Sequence, residues 1–294
     1  MFVKLRTKHP LLFSIVVYLI FVVFMNLGAG VFYVVDKVLS LDEGMADALS
    51  TIAGELVAAL VLCIILHKTG KFYLFSKKGK GFLAGLIIGG YSLAFIAFVF
   101  ISGVVGNPST EGLAYNFTAI SVVCIISMFT VGITEEITAR ALIGETILEH
   151  FGTTHKSIIQ AALISGLIFG GMHFTNIFVT PVEYALYQMV LCFTGGTLYT
   201  AIYYRSGNLW SIIFIHGLND VAASISTWLY NGGVEIATQS SAITTSDIIY
   251  IVVFGVVELA VSFFLLRKSK VQEVQSSWSE IATSTDSAAT DNVN

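Results

Sequence analysis

Residues 119–140 read AISVVCIISMFTVGITEEITAR. No charge occurs from Ala119 to Thr134, and then Glu135, Glu136 and Arg140 follow in quick succession. A run this apolar has the composition of a membrane-spanning helix. An ionisable group in such a segment is costly and faces a cavity or a partner far more often than lipid. Two adjacent carboxylates at its end therefore point to chemistry as well as to location.

The rest of the chain agrees with that reading. Of 294 residues, 55% are hydrophobic and only 12% charged, with mean hydropathy +0.83; a soluble domain carries roughly a quarter charged residues. Apolar runs recur at about 11–35, 46–67, 81–105, 114–138, 157–178, 182–204, 208–230 and 247–267. The expected fold is all-α: a polytopic membrane protein of about eight helices, with a transmembrane domain over 1–270. The first run is too long for a signal-peptide core and reads as a retained helix. Fourteen of the 15 Lys and Arg residues fall on one side of these spans, and only Lys37 falls on the other. The positive-inside rule then places both termini in the cytoplasm. Residues 271–294, rich in Ser, Thr, Asp and Ala around an isolated Trp278, read as a disordered tail. Cys63, Cys124 and Cys192 lie in apolar runs without metal-type spacing and read as small hydrophobic side chains. No basic patch interleaves with aromatics, so nucleic acid is not an expected partner; the lipid bilayer is.

Three polar clusters interrupt the second half. In the first, Glu136 and Arg140 lie one turn apart and can pair, while Glu135 is rotated by about 100° toward other surroundings. The second is FGGMHFTN, residues 169–176, in which the paired glycines allow another helix to approach closely. The third is HGLND, residues 216–220, with His216 and Asp220 one turn apart. Taken singly, each has an ordinary explanation: a snorkelling arginine, hydrogen-bond glue between helices, or glycine packing. Glu145, Glu149, His150 and His155, in a cytoplasmic extension over 141–156, read as a solvated face.

Together the clusters resemble the signatures of the CAAX-protease and bacteriocin-processing (CPBP, or Abi) family of intramembrane proteases. Its pattern of Glu-Glu-x-x-x-Arg, Phe-x-x-x-His and His-x-x-x-Asn or Asp reads here as Glu135-Glu136 to Arg140, Phe169 to His173, and His216 to Asp220. The motifs span about 85 residues inside a core of about 114–230. The resemblance implies an endopeptidase whose site comprises Glu135, Glu136, Arg140, His173, His216 and Asp220. Glu135 and His173 would activate water, with Glu135 as base and Glu136 held by Arg140. Asp220, standing where relatives can have Asn, would orient His216 or ligate a metal, because an ionised carboxylate only accepts hydrogen bonds; Asn219 is an alternative donor. Glu135, His173, His216 and Asp220 are a reasonable zinc set, and a metal-free route is equally compatible.

The implied substrate is a peptide or membrane-associated protein. The compact chain looks like the family's bacterial members, which are linked to peptide maturation or bacteriocin self-immunity, and puts it in the cell membrane. Two other classes of function fit the same residues. One is a non-catalytic scaffold or immunity protein with the same fold; the other is a transporter using the acids and histidines as a proton relay.

Overall fold

The computed structural model describes residues 2–105, 115–230 and 243–278, almost all of them helical. In chain order the helices are α1 (Phe2–Lys8), α2 (Pro10–Leu39), α3 (Glu43–Lys68), α4 (Phe82–Ile88), α5 (Gly90–Val105) and α6 (Ala119–Glu136). A π-helical segment, Ile137–Gly144, joins α6 to α7 (Glu145–Phe151). Then come α8 (His155–Met172), a 3-10 segment (His173–Phe178), α9 (Val182–Ser206), α10 (Leu209–Leu229) and α11 (Thr245–Leu265).

Among the described residues, seven helical stretches are long and apolar enough to cross a membrane. The third expected span, 81–105, is instead a broken one: α4 and α5 meet at 73°. Gly89 and Gly90 mark the break, and glycine costs about 1 kcal/mol relative to alanine inside a helix. With its backbone bonds satisfied internally, as the hydrocarbon demands, α2 turns Leu11, Ile15, Leu19, Val23, Leu27 and Val31 outward. All six recur at four-residue spacing and are more than half exposed, as a lipid-facing stripe requires.

Of the paired glycines in α8, only Gly170 serves close packing. A Cβ there would lie 2.5 Å from the Met189 carbonyl oxygen of α9, whereas at Gly171 it would meet nothing within 4 Å. The α9–α10 turn is equally tight. Gly207 takes the left-handed conformation at φ 62°, and the Asn208 side chain caps α10 by accepting from the Ser211 N–H at 2.9 Å. The chain reverses within two residues, which brings Tyr199 and His216 together with ring centroids 5.4 Å apart.

Cations and acids meet at one end of the bundle. Lys71 lies 3.2 Å from Glu145 and also pairs with Glu149, which pairs in turn with Arg6. Burial alone would pull the Lys71 pKa down, but Glu145 and Glu149 hold it above its ordinary value. Glu145 does not belong to a solvated face: it is 1% exposed and accepts a 2.8 Å hydrogen bond from the Tyr203 hydroxyl. The polar-tail expectation also changes for residues 271–278, which form a further helix, α12. Its Val274 is buried and its Trp278 ring stands edge-on to Tyr204. Residues 279–294 lie outside the described residues.

Glu273 anchors α12 by accepting from Arg205 at 2.8 Å and from Lys80 and Lys270. Burial pushes its carboxyl pKa up, yet the bonds from Lys270, Lys80 and Arg205 prevail and hold it at about 2. A carboxyl with a depressed folded pKa stabilises fully above its unfolded value of about 4.5 and loses that contribution as pH falls through about 2. Trp278 emission, isolated by W210F and W228F, is therefore expected to shift red as pH falls from about 5 to 2. E273Q should show the shifted spectrum at neutral pH, and a pH-independent Trp278 signal in the unsubstituted Glu273 protein would contradict this anchoring.

Candidate active site

The two adjacent acids part company at the junction of α6 and the π segment. Glu136 is fully buried, and its Oε1 lies 2.9 Å from Arg140 Nη1 and 2.6 Å from His216 Nδ1. The pairing of Glu136 with Arg140 follows from their one-turn spacing. The contact with His216 does not, because it depends on how α10 packs against α6. The Glu135 side chain is 15% exposed and turns toward the two histidines instead, 3.6 Å from His216 Nε2 and 4.0 Å from His173 Nε2.

The π segment sets this arrangement. Its widened turns, in which N–H groups bond five residues back, occur mostly at functional positions, and here all eight residues from Ile137 to Gly144 are buried. Side chains from neighbouring helices satisfy its carbonyls: Tyr204 donates to Gly144 at 2.7 Å and Ser165 to Ala139 at 3.4 Å. Arg140 donates to the Gly196 carbonyl at 3.3 Å and lies over the rings of Phe169 and Tyr199, 4.5 and 5.5 Å from their centroids. The guanidinium thus sits behind an aromatic partition and out of the cavity.

His173 opens the 3-10 segment in place of a longer α8. Its Nδ1–H donates to the Phe169 carbonyl at 3.0 Å, one turn back. The backbone here is held by Tyr18 of α2, whose hydroxyl bonds the Met172 carbonyl and lies 2.9 Å from Thr175 Oγ1. His216 is tied in the same sense, its Nδ1–H donating to Glu136. Both rings therefore present Nε2 to Glu135. Asp220 lies 3.5 Å from His216 Nε2 while Glu136 takes Nδ1, so the two acids hold opposite sides of the ring. Asn219 approaches Asp220 at 3.5 Å and faces the cavity too, as an alternative donor must.

These groups line a cavity of about 480 Å³ bounded by α5, α6, α8, α9, α10 and α11. Several of its residues, including Tyr184, Gln188, Ser224 and Tyr250, lie along helix halves remote from the cation-bearing end. Sequence reasoning missed three residues of this region. Tyr18 positions His173, Glu258 of α11 opens onto the cavity, and Glu55 is a buried acid in α3 whose Oε2 has no hydrogen-bond partner among the described residues. Glu55 and Glu258 carried a readable signal, since each is an acid inside an apolar span.

Glu135, His173, His216 and Asp220 supply oxygen and imidazole donors of the kind zinc uses. As placed, no group of three His, Cys, Asp or Glu side chains among the described residues is close enough to hold a metal ion. The nearest donor atoms of the set stand 3.5 Å apart from Asp220 to His216, 3.6 Å from Glu135 to His216 and 4.0 Å from Glu135 to His173.

Residues 117–222 match the family model for Rce1-like proteins, described as type II CAAX prenyl endopeptidase Rce1-like. That stretch runs from just before α6 into α10 and contains all six motif residues. The match bears out the resemblance carried by the three motifs: over this segment, about a third of the chain, the protein is similar to CAAX-type intramembrane proteases. No curated protein and no solved structure matches the chain.

The division of the acid pair has a measurable consequence. R140M leaves the fully buried Glu136 with His216 alone, a loss approaching that of a broken buried pair, about 3–5 kcal/mol. E135Q removes no ion pair closer than 3.6 Å and should cost clearly less. Thermal unfolding in detergent is expected to show a large fall for R140M only. Equal losses would mean that the two acids are not divided in this way.

Proposed function

We propose that the protein is an intramembrane endopeptidase in which Glu135 and His173 activate water for attack on a peptide bond. The observation that carries this reading is the convergence of Glu135 with the Nε2 atoms of His173 and His216, while both Nδ1 atoms are tied back. A 4.0 Å separation between Glu135 Oε1 and His173 Nε2 is too long for a direct hydrogen bond, and one water can bond to both.

In the proposed cycle Glu135 takes a proton from this water as it attacks the carbonyl carbon. General base catalysis of this kind contributes about 10²–10⁴-fold. His216 in its imidazolium form donates from Nε2 to the developing oxyanion, and the Asn219 amide supplies a second donor. Each such donor is worth about 10²–10³-fold. Protonated Glu135 then hands its proton to the leaving amine. Glu136 and Arg140 act as positioning residues, and Asp220 confines His216 from the cavity side. This route is metal-free, with every proton carried by the chain's own groups and the water.

The cluster of Arg6, Lys71, Lys80, Arg205 and Lys270 at one end of the bundle supports a cytoplasmic location for that end and for both termini. The resemblance to bacterial members supports a peptide or membrane-associated protein as substrate, in peptide maturation or self-immunity against a bacteriocin.

Mass spectrometry of secreted and membrane peptides from cells expressing the protein tests the reaction. At least one cleavage product should be present with the wild type, be lost from E135A and H173A at equal expression, and persist in purified protein treated with a chelator. A product retained in E135A would contradict the role of Glu135. A product lost only on chelation would contradict the metal-free route.

A further inference from the structure

Glu258 lies on α11, a helix without any of the three motifs, yet it lines the same cavity as Glu135 and Asp220. Its Oε2 accepts a 2.6 Å hydrogen bond from the Thr194 hydroxyl of α9. Gly195 leaves its side open, since a Cβ there would stand 3.8 Å from Glu258 Oε1 and 3.9 Å from Oε2. A carboxylate offers about four acceptor positions, and Thr194 fills one. Among the described residues no Lys, Arg or His lies within ion-pairing distance of it. Arg140, the nearest motif cation, is fully buried behind Phe169 and Tyr199 and is taken by Glu136.

The surrounding wall is aromatic. Phe254 packs against Phe95 and Tyr250 with centroids 5.0 and 4.5 Å apart, and all three rings line the cavity with Glu258. An acid sharing a cavity with aromatic rings is the combination that holds an ammonium or guanidinium group, through charge and through the ring quadrupoles. An intramembrane acid without a cation partner is costly, and a cationic ligand would offset that cost. An apolar substrate group would gain nothing from the carboxylate.

We propose that Glu258, with the Phe95–Tyr250–Phe254 wall, forms a specificity subsite for a cationic side chain of the substrate. This deepens the endopeptidase reading and rests on it for the identity of the ligand as a peptide. Thr194 positions the carboxylate, and Glu135, His173 and His216 remain free for the scissile bond.

Two arms separate the subsite from the reaction. In the first, purified protein in nanodiscs is titrated with N-acetyl-arginine amide and with N-acetyl-citrulline amide, which has nearly the same shape without the charge. The wild type and E135Q should bind the arginine amide about tenfold or more tightly than the citrulline amide. E258Q, which keeps an acceptor for Thr194, should lose that preference, and E258D, which restores the charge, should recover most of it. Equal binding of the two amides by the wild type, or an undiminished preference in E258Q, overturns the subsite. In the second arm, a peptide library is digested and its products sequenced. Enrichment of Lys or Arg at one position beside the cut, lost in E258Q while cleavage continues, supports the proposal. Cleavage without that enrichment overturns it. Charge-dependent binding through Glu258 without any cleavage leaves the subsite standing and removes the endopeptidase reading.

Discussion

One buried carboxylate organises the site. Glu136 is fully buried, and its Oε1 meets both Arg140 and His216. Burying any ion is expensive, and the cost is recovered only when partners and geometry are good. Here the partners come from two directions, one turn along the chain and across from α10. That shared oxygen joins the π segment to α10 and fixes which nitrogen of His216 faces the cavity. Remove it, and Arg140 and His216 both lose their common anchor inside the membrane.

The rest of the arrangement follows from how helices place side chains around that anchor. Neighbouring residues on a helix point about 100° apart, so adjacent acids cannot share one environment. Glu136 turns into the bundle and Glu135 turns to the cavity. The tight α9–α10 turn and the close approach at Gly170 bring Tyr199, His216 and His173 against them. The aromatic partition of Phe169 and Tyr199 then separates a permanent cation from the acids that line the cavity.

Much of this was legible in the chain. Spans came from hydropathy, because a backbone in hydrocarbon has few options, and their order and the paired Glu136 and Arg140 follow from local spacing. What depended on packing between distant segments was not legible. The break at Gly89–Gly90, the burial of Glu145 beneath Lys71 and Tyr203, and the contact of Glu136 with His216 are all of that kind. The approach of Asp220 to His216 followed from their spacing, but spacing did not say that Nε2 would turn to Asp220 while Nδ1 turned to Glu136. The helical turn at 271–278 was missed because composition was averaged over the whole tail, which hid Val274 and Trp278 on one face. Glu258 stands out as an acid in an apolar run but lies outside all three motif spacings, and only packing brings it to the cavity.

The central claim is that Glu136 holds the Nδ1–H of His216 and leaves Nε2 to the cavity. Solid-state ¹⁵N spectra of the membrane-embedded protein, with His216 identified by comparison with H216Q, read this directly. The account predicts a protonated Nδ1 on His216 in the wild type, and loss of that signature or its proton partner in E136Q. A His216 with bare Nδ1 and its only proton on Nε2 would contradict it.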